Sequence, residues 1–222
     1  ATEGSAKNLI DFGIKKESVY NYGCPAVEYI SKLDVGDSFD PAHITKKFKN
    51  PIHVAKDEKY FLVMVHPDTT NERDVDMKKV LDVISGFGLK TFIFYPNIDA
   101  HNAEIVSSIA KYNNNNNFFM IRHMPLEDFV YVMAHCVCMI GNSSSGIRES
   151  ASFAIPFINI GERQIGRERN ENTIDIGADY NSLEATIQKS MNQKVGNSNI
   201  YYQEGCSNLI ANAIAEYIGV EK

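Results

Sequence analysis

The segment Gly141-Asn142-Ser143-Ser144-Ser145-Gly146 joins an apolar run, Val137 to Ile140, to the start of a helix. Serine hydroxyls and the first backbone N–H groups of a helix are unsatisfied donors there, and the helix dipole favours an anion. No Gly-Lys-Ser/Thr follows, so this is not a P-loop. Plain helix capping by serine is the alternative use of the same residues. Arg148 and Glu149 lie about one turn further on. A carboxylate at Glu149 accepts hydrogen bonds from a vicinal diol, as a sugar or ribose presents; the other reading is a solvated glutamate favoured by the dipole. The loop from Gly161 to Arg169 holds three arginines and two glutamates between two strands. Guanidinium forks suit diphosphate oxygens, although such a loop can equally pair with itself. His66, followed by Pro67 at the end of another apolar run, has the chemistry of an acid, a base or a phosphate donor, or serves structure alone. His123 also ends an apolar run, where its backbone could read a base edge. His43, His53, His101 and His135 have no such placement and read as surface or packing residues.

The elements that must position these groups follow a repeated order of apolar strand, polar turn and amphipathic helix. Phe61 to Val65 is continuously apolar, as suits a strand buried on both faces. Met77, Val80, Leu81, Ile84 and Phe87 recur at helical spacing, and Gly86 and Gly88 mark the end. Strands are then predicted at Phe92 to Tyr95, Phe118 to Ile121, Val137 to Ile140, Phe157 to Ile160 and Thr173 to Ile176. Helices are predicted at Ala103 to Tyr112, Pro125 to Ala134, Ile147 to Phe153, Ser182 to Met191 and Leu209 to Ile218. This alternation predicts a doubly wound parallel α/β sheet. In such a sheet ligands collect beyond the carboxyl ends of the strands. That rule selects His66-Pro67, Pro96-Asn97, Arg122-His123-Met124, Gly141 to Gly146 and Gly161 to Asn172. Residues 1–59 lack the repeat. With helix-like stretches at Ala6 to Phe12 and Ala26 to Leu33, they read as an arm wrapping the sheet. Asn113 to Asn117 reads as an expanded loop between helix and strand.

Composition narrows the partners. The chain has 222 residues, 44% hydrophobic and 23% charged, with a formal net charge of -6. That balance makes a poor general binder of nucleic-acid backbones. No apolar run reaches the roughly 18 residues of a membrane span, and no signal peptide is visible at the start. Cys24, Cys136, Cys138 and Cys206 have neither CxxC nor zinc-ligand spacing. They read as reduced, buried residues of a cytoplasmic protein.

Four strings in order resemble one family: Val65-His66-Pro67-Asp68-Thr69-Thr70-Asn71, Tyr95-Pro96-Asn97-Ile98-Asp99-Ala100, Gly141 to Glu149, and Asn159 to Glu168. Jointly they resemble the UDP-N-acetylglucosamine 2-epimerases, in particular the hydrolysing branch that supplies N-acetylmannosamine for sialic-acid synthesis. The resemblance runs from about Ala1 to Ile218. It implies the carboxyl-terminal, Rossmann-like half of a GT-B fold, with residues 1–23 as the end of the amino-terminal domain and the crossover, and residues 24–222 as the nucleotide-binding domain. An amino-terminal Rossmann-like domain of about 160 or more residues is the expected partner in a longer enzyme. A homo-oligomer is also expected, and no metal or redox cofactor.

By resemblance, His66 is the catalytic histidine near the leaving phosphates and Asn97 an active-site asparagine. Arg122, His123 and Met124 frame the uracil. Ser143 and Ser144 hold the diphosphate, Glu149 the ribose hydroxyls, and Arg163 lies near the nucleotide sugar. The implied reaction is anti elimination of UDP across C1–C2 of the sugar, followed by addition of water. Carboxylates of the amino-terminal domain carry much of the proton transfer, so this chain alone is expected to bind UDP weakly and turn over little. Feedback inhibition by CMP-sialic acid, which in animal relatives uses basic residues of the helix matching Ala103 to Tyr112, is expected to be absent or altered, since that helix offers only Lys111. Alternatives are a non-hydrolysing epimerase, a GT-B glycosyltransferase, or a UDP-sugar-binding module without catalysis.

Overall fold

In the computed structural model, the described residues are 1–36, 57–68, 75–177 and 180–219. His43, His53, Thr69, Thr70 and Asn71 lie outside them. Among the described residues six strands form one sheet: β1 Tyr60–Met64, β2 Lys90–Phe94, β3 Phe118–Ile121, β4 Cys138–Gly141, β5 Phe157–Ile160 and β6 Thr173–Ile176. Their spatial order is β3-β2-β1-β4-β5-β6, and every pairing is parallel. The order reverses direction between β1 and β4, which makes this a doubly wound, Rossmann-like sheet.

Period-two alternation along buried strands feeds two separate cores. Tyr60, Leu62, Phe92, Met139 and Phe157 pack on one face. Phe61, Val63, Ile93, Ile140 and Ile158 pack on the other. Both faces are covered, so the strands read as continuous apolar runs and not as alternating ones. Helices α2 Pro25–Ile30, α5 Leu126–His135 and α6 Ser144–Arg148 cover the first face. Helices α3 Met77–Ser85, α4 Asn102–Ala110 and α7 Leu183–Ser190 cover the second. The Asp76 carboxylate caps α3 by accepting from the Lys78 and Lys79 N–H groups, and Met77, Val80, Leu81 and Ile84 form its buried stripe.

Part of the expected arm belongs to this architecture. Cys24, Val27 and Ile30 are in the first core. Glu28 of α2 accepts from the Gly205 and Ser207 N–H groups and the Ser207 hydroxyl, capping the closing helix α8 Cys206–Ile218. Helix α1, Glu3–Asp11, buries no side chain, although the preceding Thr2 is buried. It is tied to the loop after β5 through the Gly4 N–H, which donates to Glu168. Residues 113–117 do form the turn into β3, where Asn117 donates to the Gly88 carbonyl.

Several boundaries move. β2 starts at Lys90, whose ammonium reaches Glu58 at 2.8 Å, followed by a buried Thr91. β4 ends one residue later than predicted, because Gly141 pairs with Met64. The helix predicted over Ile147 to Phe153 begins at Ser144, and a 3₁₀ turn replaces it at Ser150–Phe153.

Candidate functional site

Because all strands run the same way, the segments following them meet along one edge of the sheet. At its centre, where the order reverses, β1 and β4 lie side by side with Met64 opposite Gly141. Gly141 has φ +141°, and a Cβ there would sit 2.0 Å from the Met64 carbonyl oxygen. Gly146 faces the Phe157 ring, which a Cβ would meet at 2.3 Å. The small residues of this turn therefore serve close approach of β1 and close packing of α6 on the sheet, and not only access for a ligand as the sequence suggests.

That approach brings Asn142 against His66. The Asn142 N–H continues the ladder to the Met64 carbonyl at 3.1 Å. Its side-chain Oδ1 accepts from the His66 N–H at 2.7 Å, and its Nδ2 donates to the His66 carbonyl at 2.8 Å. The Asn142 carbonyl accepts from Arg163 Nη1 at 3.1 Å and Gln164 Nε2 at 2.8 Å. Arg163 Nε donates to the Pro67 carbonyl at 3.1 Å. The turns after β1, β4 and β5 are thus bonded into one unit.

The His66 ring is buried, and its Nδ1 accepts from the Asn97 N–H at 3.2 Å. With Nδ1 engaged as an acceptor, a neutral ring carries its proton on Nε2. Burial first, and the Arg163 guanidinium second, lower its pKa to about 4 against a smaller opposing pull from Asp99. His66 is therefore a neutral N–H donor near pH 7.

Glu149 is 8% exposed. Its Oε1 accepts from Arg148 Nη2 at 3.0 Å, while Oε2 is buried with no partner among the described residues. Burial raises its pKa, against the opposing pull of Arg148. The backbone around it is strapped from two sides. Asn170 Nδ2 donates to the Ile147 carbonyl at 2.9 Å, and Asn199 Nδ2 to the Arg148 carbonyl at 2.6 Å. A buried carboxylate oxygen held in place without a donor suits a hydroxyl or N–H brought by a ligand.

The remaining sequence-selected residues divide. Ser143 caps α6 by accepting from the Ser145 N–H at 3.3 Å, so its capping use is realised. Ser144 is half-buried at the first position of α6. Arg122 lies over the Tyr95 ring at 4.5 Å, with its side chain and that of His123 exposed. Met124 packs into the first core, so its side chain serves packing. Of the three loop arginines, Arg169 is bound to Asp175 and to the Gln164 and Arg167 carbonyls, Arg163 is tethered as above, and Arg167 is exposed. Sequence reading passed over Asn142, Gln164, Asn170 and Asn199 as individual residues. The available signal for the first three was their place in segments that follow strand ends; Asn199, between α7 and α8, carried none.

The four cysteines are free and buried, and burial raises the thiol pKa of Cys136, Cys138 and Cys206. Among the described residues no three His, Cys, Asp or Glu side chains gather as a metal ion would need, and no helix is long and apolar enough to cross a membrane.

The family model described as UDP-N-acetylglucosamine 2-epimerase matches residues 1–215. The chain belongs to the UDP-N-acetylglucosamine 2-epimerase family. Relatives within reach of this family include the UDP-N,N'-diacetylbacillosamine 2-epimerase (hydrolyzing) of Legionella pneumophila, 29% identical over 90% of this chain and 52% of the relative. Polysialic acid biosynthesis protein P7 of Escherichia coli is also 29% identical, over 96% of this chain and 54% of its own length. The chain spans about half the length of the curated relatives it matches. Among solved structures, the Neisseria meningitidis UDP-GlcNAc 2-epimerase bound to UDP-GlcNAc matches with a TM-score of 0.76 and 15% identity, over 97% of this chain and 60% of that one. The S. aureus MnaA–UDP structure matches at 0.71 and 17%, over 99% of this chain and 60% of that one. At these identities the structural likeness establishes the shared fold.

Proposed function

We propose that this chain is the nucleotide-holding half of a hydrolysing UDP-sugar 2-epimerase. The reaction converts UDP-N-acetylglucosamine and water to N-acetylmannosamine and UDP. The observation that carries the reading is the Glu149 carboxylate, rigidly held with a buried, unpartnered Oε2. A ribose diol is the ligand group that supplies donors to such an oxygen. Ser144, Arg163 and the Nε2–H of His66 then face the diphosphate, and Asn97 stands beside the sugar. Arg122 and the backbone of residues 122–124 frame the uracil.

In the elimination, a base takes the C2 proton, the C1–oxygen bond breaks, and UDP leaves with the electron pair. Water then adds a hydroxyl at C1 and a proton at C2. This chain's contribution is to hold the departing diphosphate and stabilise its growing charge with donors fixed beforehand. His66, kept neutral by burial, donates a hydrogen bond to a phosphate oxygen, and the arriving anion raises its pKa. The carboxylates that move the C2 proton belong to an amino-terminal Rossmann-like domain in this reading, which makes the 222-residue chain by itself a weak UDP binder with little or no turnover.

The resemblance to the Legionella protein favours a second reading in which the hexosamine carries a further acetamido group. Both readings are tested by incubating the complete protein with UDP-N-acetylglucosamine or UDP-N,N'-diacetylbacillosamine in deuterated water. Solvent deuterium at C2 of a free, epimerised sugar, with release of UDP, is the expected result. A product still bearing UDP points to the non-hydrolysing reaction, and a glycoside to a transferase. Calorimetric titration of the 222-residue chain with UDP tests the nucleotide site alone.

A further inference from the structure

We propose that Asn142 is a positioning residue for this site, one that sets His66 and Arg163 at a fixed separation through its side-chain amide and its own carbonyl. The inference rests on the reading of this edge as the UDP-sugar site. Asn142 is fully buried and uses every polar group it has. Its amide clips both backbone groups of His66, its N–H extends the β1–β4 pairing, and its carbonyl anchors both Arg163 and Gln164. Three turns that are far apart in sequence converge on one residue. A side chain whose only task was to cap a strand end would need one or two of these bonds.

The amide chemistry is specific. The clip needs an acceptor and a donor side by side, facing the N–H and C=O of one residue, and an amide of Asn or Gln places both on one carbon without having to take up a proton. Aspartate at the same position keeps the acceptor but sets an oxygen against the His66 carbonyl. Once protonated, it regains a donor. An Asn142→Asp site is therefore switched by its own proton, and burial raises the pKa of that carboxyl. Among the described residues, the charged groups acting on the His66 ring are Arg163 from the turn after β5 and Asp99 from the turn after β2.

The mechanical consequence falls on the ring. Fixing the His66 backbone holds Nδ1 under the Asn97 N–H, which directs the Nε2 proton. Loosening the clip frees the ring toward solvent and toward its ordinary titration. Gln164 supplies a milder perturbation. Gln164→Met keeps the volume, removes one donor from the Asn142 carbonyl, and also removes the buried, unpartnered Oε1, so the fold survives the change.

The test is an NMR titration of His66 in the 222-residue chain without ligand, for the native sequence, Asn142→Asp and Gln164→Met. It is paired with kcat and KM of the complete protein carrying the same changes. The expected result is a His66 midpoint near 4 in the native chain and a rise in both variants, larger for Asn142→Asp. In the complete protein, kcat falls about tenfold or more for Asn142→Asp while KM moves much less, as misplacement of a reacting group predicts. Relative to the native enzyme, that loss narrows as pH is lowered and the new carboxyl is protonated. Variants whose His66 midpoint stays near 4, with melting temperature lowered and kcat unchanged, would reduce Asn142 to a structural role and overturn the proposal. If Asn142→Asp does not fold, the midpoint in Gln164→Met decides. The ligand-free titration separates this inference from the reading of the site: UDP failing to bind the native protein sinks the site, while an unmoved His66 sinks the role of Asn142.

Discussion

Glu28 and Glu149 are about equally hidden, at 4% and 8% exposed, yet their carboxylates are perturbed in opposite directions. Glu28 bonds to Lys32 Nζ, to the Ser207 hydroxyl and N–H, and to the Gly205 N–H, and these bonds, the Lys32 one foremost, hold its pKa well below the carboxylate range. Among the described residues the Glu149 carboxylate bonds to Arg148, and burial outweighs that partner to push its pKa up. A saturated buried carboxylate is a piece of construction, here the cap that joins α2 to α8. One left partly unsatisfied carries a desolvation cost that a ligand can relieve. Burial alone does not separate the two; the count of donors does.

Removing the Glu149 acceptor should break the comparison most visibly. Glu149→Gln is expected to weaken UDP binding about 100-fold, the loss of charge-assisted bonds to a diol. Its melting temperature at neutral pH should be unchanged or higher, because a buried charge whose desolvation outweighs its pairing with Arg148 disappears. A calorimetric titration beside a melting curve checks both, and undiminished UDP affinity would return Glu149 to the structural class.

His66 gives the next largest effect. Its folded pKa of about 4 lies below the ordinary 6.5, so the unfolded chain binds the extra proton first. Stability is then full above pH 6.5 and falls as the pH drops toward 4, by up to about 3 kcal/mol. His66→Gln should flatten that part of the stability profile and weaken UDP binding about tenfold, the worth of one hydrogen bond to a charged group. Denaturant unfolding across pH 4–7 gives the first readout.

Glu28→Gln should do the reverse of the Glu149 change. The melting temperature drops by several degrees and UDP affinity stays within about twofold, since α8 loses its cap without the site being touched. The native Glu28 contribution is present above the ordinary carboxylate pKa and is lost as the pH falls toward its lowered folded value. A UDP affinity that falls along with stability would mean that the two regions are coupled. The smallest effect is expected at Arg169. Its guanidinium is committed to Asp175 and to two loop carbonyls, so Arg169→Lys should leave UDP affinity within about twofold by the same titration.

Much of the fold was legible because its signals are local. Phe118–Ile121 and Phe157–Ile160 are strands over the residues that their apolar character marks, and Thr173–Ile176 is a strand over the alternating residues predicted for it. The helix over Met77–Ser85 follows its 3.6-residue spacing and an aspartate cap. The edge of the sheet that gathers His66, Asn97, Asn142 to Glu149 and Arg163 followed from parallel pairing alone. Reading residue types at that edge was less secure. Met124 and Arg169 lie in the right segments and are spent on packing and on loop closure. Asn142 and Gln164, ordinary amides in the chain, hold the centre of the edge.

Strand and helix alternation, and the edge on which the loops collect, were determined by the amino-acid sequence itself, because hydrophobic periodicity acts over a few neighbouring residues. Which carboxylate is saturated, which arginine is committed and which asparagine ties three turns together were decided only by tertiary structure. The Asn142 and Glu28 outcomes depend largely on groups 21 to 179 positions away, such as Arg163 with Asn142 and Glu28 with Ser207. Arg169 uses partners two to six positions away that only the folded loop brings to its guanidinium. No local pattern encodes how such groups share out their hydrogen bonds once water has left.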